Sequence, residues 1–485
     1  MVFSSIIFLF LFLPVTLAFY FLVGKKRRNF FLLLVSLIFY AWGENFYILI
    51  MFCSIIINYF SGILIERFKQ HRILKPLYYS SIVINLTLLS VFKYSNFFVD
   101  NINYLLSLFE IGPYFLNPIH LPIGISFFTF QAISYVIDVY RGETQAQKNP
   151  IDMGLYIASF PQLIAGPIIR YHDIEKQIKS RSVKINDFAY GIERFLYGLG
   201  KKVLIANSVA LSADKIFALG PQDLTMGLAW LGIVCYSIQI YFDFSGYSDM
   251  AIGLGRMFGF RFMENFNYPY ISQSMQEFWR RWHISLTTWI RDYVFLPIAL
   301  KRRYWGKWGI VYALMITFSL IGLWHGASWN FIFWGMFHGL LLVSEQMGFN
   351  KILNKLWMPI RIMYVNFILA LSWPLFRAET FSEALDFLSA MLGLAQGTGI
   401  EHHIGLYLNN EIILFLVLGI VFSTPVFPFL KKQLTTVITR SDIIQNSFGY
   451  NVLNTVNTIA LFLILLLSSM NLASGSYNPF IYFRF

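Results

Sequence analysis

FWRRWHISLTTWIRDYVFLP at 278–297 and LIGLWHGASWNFIFWGMFHG at 320–339 flank a basic hinge at Lys301-Arg302-Arg303, and their reading decides the fold. Both runs are apolar and aromatic, yet they carry His283, His325 and His338. An Asp, Lys or Arg at the centre of a membrane helix costs about 2.5–3.5 kcal/mol on insertion scales. Histidine avoids that cost by staying neutral, and a neutral imidazole away from water is a proton acceptor. The two runs therefore read as membrane-embedded segments built around histidine chemistry.

Composition points the same way. The 485 residues are 57% hydrophobic, 19% aromatic and 13% charged, whereas a soluble domain carries about 25% charged residues. The chain reads as an all-α polytopic membrane protein. Its net charge of +12 does not argue for nucleic acid. The cations sit in short clusters between apolar runs, where they set topology and meet the headgroups of membrane lipids. Cys53 and Cys235 lie in apolar runs and form neither a disulfide framework nor a zinc spacing.

From the N-terminus, the apolar run 4–23 precedes Lys25, Lys26, Arg27 and Arg28. A signal peptide would place its charge before the apolar region, so this reads as a retained first helix with its N-terminus extracytoplasmic. Residues 29–65 exceed one span of about 20 residues and end at the basic cluster 66–72, predicting two short helices that turn near Gly43-Glu44-Asn45. The run 77–92 crosses again, and 93–120 is expected to be an external loop with an amphipathic piece. In 159–170, SFPQLIAGPIIR, two prolines and a glycine preclude a regular span. Such backbone is tolerated at membrane depth only when protein-buried or lining a cavity, so the segment is expected to be re-entrant or interfacial. Counting on through the later apolar runs by the positive-inside rule gives roughly 11–13 membrane segments, in one domain over 1–485.

YFDFSGYSDMAIGLG at 241–255 places Asp243 with Tyr247, and Ser245 with Asp249, on shared helix faces. Two readings stand for them: a hydrogen-bonded clasp between helices, or the polar wall of a substrate tunnel. On a helix over 278–300, Trp279 and His283 share one face with Leu286 and Ile290, beside a stripe of Arg280, Thr287 and Arg291. In 322–339 two pentads, Gly322 to Gly326 and Gly335 to Gly339, each flank a histidine with glycines four apart, a spacing that lets helices approach closely. On one continuous helix the thirteen-residue offset from His325 to His338 would turn them to roughly opposite faces. Trp324, Ala327 and Ser328 give His325 space and hydrogen-bonding capacity, whereas Phe337, Leu340 and Leu341 make His338 look like a packed core residue.

No H-x-x-x-H, cysteine pair, Walker loop, dinucleotide fingerprint or G-x-S-x-G elbow is present. What remains is buried histidine beside cations and aromatics, which suits acyl transfer without a covalent enzyme intermediate. Arg280, Arg281 and Arg291 are placed either to receive the phosphates of an acyl donor or to set topology.

FPQLIAGPIIR (160–170), YFDFSGYSDMAIGLGRMFGF (241–260), NYPY (267–270), the two runs quoted first, including Trp282, and the FIYFRF tail (480–485) together resemble the membrane-bound O-acyltransferase family, in its alginate O-acetyltransferase branch. The resemblance implies a ring of tilted helices around a central tunnel, a catalytic His325 and a second functional His283; no bound cofactor is expected, and the missing ligand spacings give no metal site. It implies acetyl-CoA as acyl donor from the cytoplasm and an exported polysaccharide acceptor, alginate-like, in the bacterial cytoplasmic membrane. It also implies an extracytoplasmic acetyltransferase partner protein, AlgJ-, AlgX- or SGNH-like. D-alanyl transfer to teichoic acid is the alternative within the family. A polytopic transporter or flippase is the alternative outside it, weakened by the lack of a clear inverted repeat.

Overall fold

A computed structural model describes residues 2–394, 397, 400–439, 443–475 and 477–479, and all its regular elements are helical, with no strand among the described residues. The FIYFRF motif at 480–485 lies outside the described residues.

The helix Met226–Met257 forms the centre. It is buried without a break from Ile238 to Gly255, as expected of a helix surrounded by protein. Ile185–Gly200, continued through a π-turn at Lys201–Ala206 into Asn207–Phe217, packs along it. Peripheral helices behave oppositely: on Phe448–Ala473 and Lys25–Arg67 large apolar side chains such as Phe46, Leu49, Phe462 and Met470 are exposed. Apolar surface on this scale, on helices that satisfy their own backbone hydrogen bonds, is what a lipid-facing wall requires. The chain is a multi-pass membrane protein.

Among the described residues, six helices are long and apolar enough to cross a bilayer: Lys25–Arg67, Leu74–Ser107, Met226–Met257, Lys307–His325, Met358–Arg377 and Phe448–Ala473. A pair bent by 63°, Asn410–Phe422 with Val426–Thr436, makes up to seven. The count of 11–13 segments is larger because it includes apolar runs that fold as shorter helices, such as Ile125–Arg141 and Trp329–Ser344. Within Lys25–Arg67 the backbone breaks where a turn was expected: Arg28–Glu44 ends, Asn45 takes φ 41, and Ile48–Arg67 follows. The segment 150–170 is broken as expected: Pro150–Ala158 ends at Ser159, Phe160–Leu163 forms one turn, and a turn at 164–166 leads into irregular backbone, buried throughout 159–169.

The external loop expected over 93–120 needs correction. The helix Leu74–Ser107 runs through Lys93, and the non-helical stretch is confined to 108–124. The lysine suggested an end of the span, but the helix keeps it buried at 8% exposure by giving its ammonium protein partners.

The basic clusters come together in one polar layer. Asn29 donates to Asp152 (2.7 Å) and accepts from Arg181 (2.6 Å). Glu66 accepts from the Ala146 backbone (3.0 Å), Arg170 pairs with Asp292 (2.7 Å), and Arg256 with Asp187 (2.8 Å).

Candidate active site

His325 is the last residue of Lys307–His325; Gly326 then turns extended (φ −164, ψ 150) and Trp329–Ser344 runs back alongside. The two helices touch backbone to backbone: a Cβ on Gly322 would lie 2.2 Å from the Phe331 carbonyl oxygen, and one on Gly335 2.3 Å from that of Phe318. The pentad glycines thus serve close helix approach. Because the helix breaks at Gly326, the expectation that His325 and His338 face opposite ways on one helix fails. Both rings contact Trp334, at centroid distances of 5.2 and 4.7 Å. His325 also meets Trp324 (4.7 Å) and Phe376 (5.1 Å). It lines a cavity of ≈ 60 Å³ with Lys93, the 121–127 segment, Ile164 and Trp324. Ser328, half-buried, precedes the return helix without capping it.

The helix expected over 278–300 is also interrupted. Met275–Arg281 ends, and His283 takes φ 44 and ψ 54 before Ile284–Ile290 begins. Trp279, His283, Leu286 and Ile290 are all buried as the face reading required, but across a break rather than down one helix. The break lets a loop residue, Asn265, grip the turn. Asn265 Oδ1 accepts from the Ser285 backbone N–H (3.1 Å) and hydroxyl (2.9 Å), while its Nδ2 donates to Ser248 (3.0 Å). His283 Nδ1 lies 3.1 Å from the same oxygen. An oxygen that accepts from a backbone N–H meets Nδ1 as an acceptor, so Nδ1 carries the proton and Nε2 the lone pair. Nε2 is buried with no protein hydrogen-bond partner. His283 is fully buried, edge-on to Phe244 (4.6 Å) and 6.2 Å from the Trp324 ring. His325 lies within electrostatic reach of His283, Lys93 and His338.

Around these histidines the interior is polar without being fully paired. The indole nitrogens of Trp279, Trp324 and Trp334, whose rings contact His325 or His338, and both nitrogens of His338 are buried with no protein partner. Buried polar atoms are normally hydrogen-bonded, so this concentration marks where water or substrate completes the set.

The remaining candidates sit apart from the histidines or play a joining role. Asp243 pairs with Lys202 at 2.7 Å, both 2% exposed. Asp249 pairs with Lys201 and Arg194, each at 2.7 Å. Tyr247 stacks on Phe3 at 4.6 Å. These three side chains bind the central helix to its neighbours. Trp282 stacks on Phe278 and meets Trp373. Arg280 is exposed, and Arg291, also exposed, pairs with Asp292 in the polar layer. The fold also brings Asp138, Glu143 and His172 within 4.8 Å of one another, a grouping from separate segments that spacing could not reveal. His172 Nδ1 is bonded to Asp138 there (2.8 Å).

Sequence reading missed two residues. Lys93 had a signal, a cation inside a long apolar run. Asn265 had none, because its role arises from where a connecting loop happens to pass.

Residues 144–382 match the model of the membrane-bound O-acyltransferase family. The chain is 40% identical to a probable alginate O-acetylase AlgI of Pseudomonas putida, over the whole of both chains. It is 33% identical to a peptidoglycan O-acetyltransferase of Helicobacter pylori, over the whole of this chain and 98% of that one. It is 30% identical to a teichoic acid D-alanyltransferase of Bacillus subtilis, over 49% of this chain and 62% of that one. With a buried histidine pair at its centre and full-length relatives of this kind, the chain belongs to the membrane-bound O-acyltransferase family and is a membrane O-acyltransferase.

Proposed function

We propose that the chain transfers acetyl from cytoplasmic acetyl-CoA, across the bacterial inner membrane, for O-acetylation of an exported or cell-surface polysaccharide of the alginate kind. The full-length relatives named for alginate and peptidoglycan favour acetyl and a polysaccharide acceptor; the D-alanyl relative matches half of the chain. The observation that carries the reading is that His325 and His283 lie within electrostatic reach of each other, with the Trp324 ring beside both, in a buried polar interior. The basic layer is cytoplasmic and the N-terminus extracytoplasmic. Lys307–His325 rises from the basic hinge, and at about 1.5 Å per residue its 19 residues deliver His325 to the opposite side, beside the 111–124 stretch. The donor enters from the basic side, and the acceptor or a partner's hydroxyl approaches from the other.

His325 takes the proton of the attacking hydroxyl as its oxygen bonds the thioester carbonyl carbon. Collapse of the tetrahedral intermediate breaks the C–S bond, and the thiolate recovers the proton. General-base help of this sort is typically worth about 10²–10⁴ in rate. His283, with Nε2 held as an acceptor, hydrogen-bonds the donor and positions it. In this reading an extracytoplasmic acetyltransferase partner completes delivery to the polymer.

The test is transfer from radiolabelled acetyl-CoA by purified protein with polymer or partner extract. His325→Ala should lose activity while remaining folded, His283→Ala should lose less, and His338→Ala should mainly lower stability. Turnover with a D-alanyl carrier but not acetyl-CoA would move the enzyme to teichoic acid alanylation. A well-folded but inactive His338→Ala protein would overturn the choice of base.

A further inference from the structure

Lys93 is the buried cation that the mechanism above does not use. It sits mid-way along Leu74–Ser107 and is 8% exposed. Its ammonium donates to the carbonyl of Trp324, the residue before His325, and lies 3.5 Å from Ser126 Oγ. It stands 5.6 Å from the Trp324 ring centroid and lines the same ≈ 60 Å³ cavity as His325. Its contacts are a carbonyl, a hydroxyl and an indole; among the described residues no carboxylate pairs with it.

A charge held inside a membrane segment without a counterion is costly, and anchoring the turn does not require one. The next residue already anchors it with a neutral group: the Tyr94 hydroxyl donates to the Leu323 carbonyl at 3.0 Å. An ammonium has three N–H donors. Two are accounted for by Trp324 and Ser126, leaving a third for a ligand in the cavity.

We infer that Lys93 is a catalytic residue that stabilises the oxyanion of acyl transfer. The inference rests on the acyl-transfer reading but not on the identity of the acyl group. When His325 removes the hydroxyl proton and the new C–O bond forms, the carbonyl π pair moves onto oxygen. The Lys93 ammonium receives that negative charge by hydrogen bond. As the C–S bond breaks, the charge passes to sulfur and the proton returns from His325 to the thiolate, leaving Lys93 unchanged. Its counterion is thus the transition state, which makes its charge complementary to the reaction and not to the resting protein.

The experiment compares initial rates of the full chain in membrane vesicles, supplied with acceptor, for wild type, Lys93→Met, Lys93→Gln, Lys93→Arg and Tyr94→Phe. Acetyl-CoA and a D-alanyl carrier are each tried as donor, and folded protein is quantified in detergent. Lys93→Gln keeps a donor for the Trp324 carbonyl without the charge. Loss of one oxyanion donor costs about 10²–10³ in kcat; Lys93→Gln and Lys93→Met should both fall by that factor, with donor KM changed by less than about threefold. Lys93→Arg should recover part of the rate and Tyr94→Phe should stay near wild type. Recovery by Gln, or a loss shared by Tyr94→Phe, would make Lys93 a structural anchor and overturn the inference. An effect confined to acceptor KM would reassign the ammonium to ground-state binding, which also overturns it. Wild-type silence with both donors would instead sink the acyl-transfer reading and the Lys93 role with it.

Discussion

His283 holds a left-handed backbone conformation that costs a non-glycine residue on the order of 1–3 kcal/mol and persists only where its surroundings over-determine it. Asn265 supplies that determination: its backbone carbonyl takes the Ile284 N–H at 2.9 Å, and its side chain takes Ser285 and orients the imidazole. Strain and tautomer are thus set by one residue, so that Nε2 stays available. A second histidine, His172 in the polar layer, does the opposite and acts through its charge. The Asp138 carboxylate at 2.8 Å, with Asp173 at 3.2 Å, holds its imidazolium up to about 9. A histidine whose folded pKa is raised contributes stability in full below its ordinary value of about 6.5 and loses it as pH rises through the folded value. The detergent-solubilised protein should therefore hold its melting temperature up to neutrality and lose it progressively towards pH 9 and above. His172→Gln should flatten that decline and lower the plateau on the acid side. An unchanged profile in the variant would show that another group sets the alkaline limb.

At the scale of elements, the central helix is joined to Ile185–Gly200 by backbone approach and by charge. A Cβ on Gly198 would lie 2.5 Å from the Gly246 carbonyl oxygen, and one on Gly246 2.7 Å from that of Gly198; Gly191 and Gly253 repeat the reciprocal contact at 2.7 and 2.6 Å. The pairs recur after seven residues, two helical turns, so the chains run flush over that length. Where the glycines end, Lys202 meets Asp243, deep enough that both are 2% exposed. Removing one partner of such a pair leaves an uncompensated buried charge, at about 3–5 kcal/mol, whereas replacing both by apolar residues is often neutral. Asp243→Leu should accordingly lower the melting temperature sharply, and Lys202→Met with Asp243→Leu should recover much of it. A double variant as unstable as the two single losses combined would mean that the contacts of Lys202 with Asn207 and the Pro479 carbonyl, and not the pair, dominate.

For the whole molecule, the sequence reveals what hydropathy and short spacing encode. The apolar runs, the basic clusters, the broken 159–170 segment and the burial of His283 and His325 were all legible, because each follows from local composition. Two things were not. The helix breaks at His283 and Gly326 depend on a distant loop and on a return helix, so face arguments that assumed continuous helices placed His325 and His338 wrongly relative to each other. Lys93 was read as the end of a span because its partners, Trp324 and Ser126, come from elements far along the chain. The proposed orientation, basic layer to the cytoplasm, can be tested across the full thickness of the protein. His71 lies at the basic end of Leu74–Ser107 and Phe115 beyond its other end; both are exposed, Phe115 at 95%. At about 1.5 Å per residue the 34-residue helix between them spans some 50 Å, more than a bilayer's hydrocarbon core of about 30 Å. In a background with the exposed Cys53 replaced and the buried Cys235 kept, His71→Cys should react with a membrane-impermeant maleimide only when the cytoplasmic face is accessible. Phe115→Cys should react in intact spheroplasts. Labelling of both from one side would require Leu74–Ser107 to lie along the membrane or turn back within it. The cavity beside His325 would then open on the same side as the basic layer, and transfer across the membrane would lose its geometric basis.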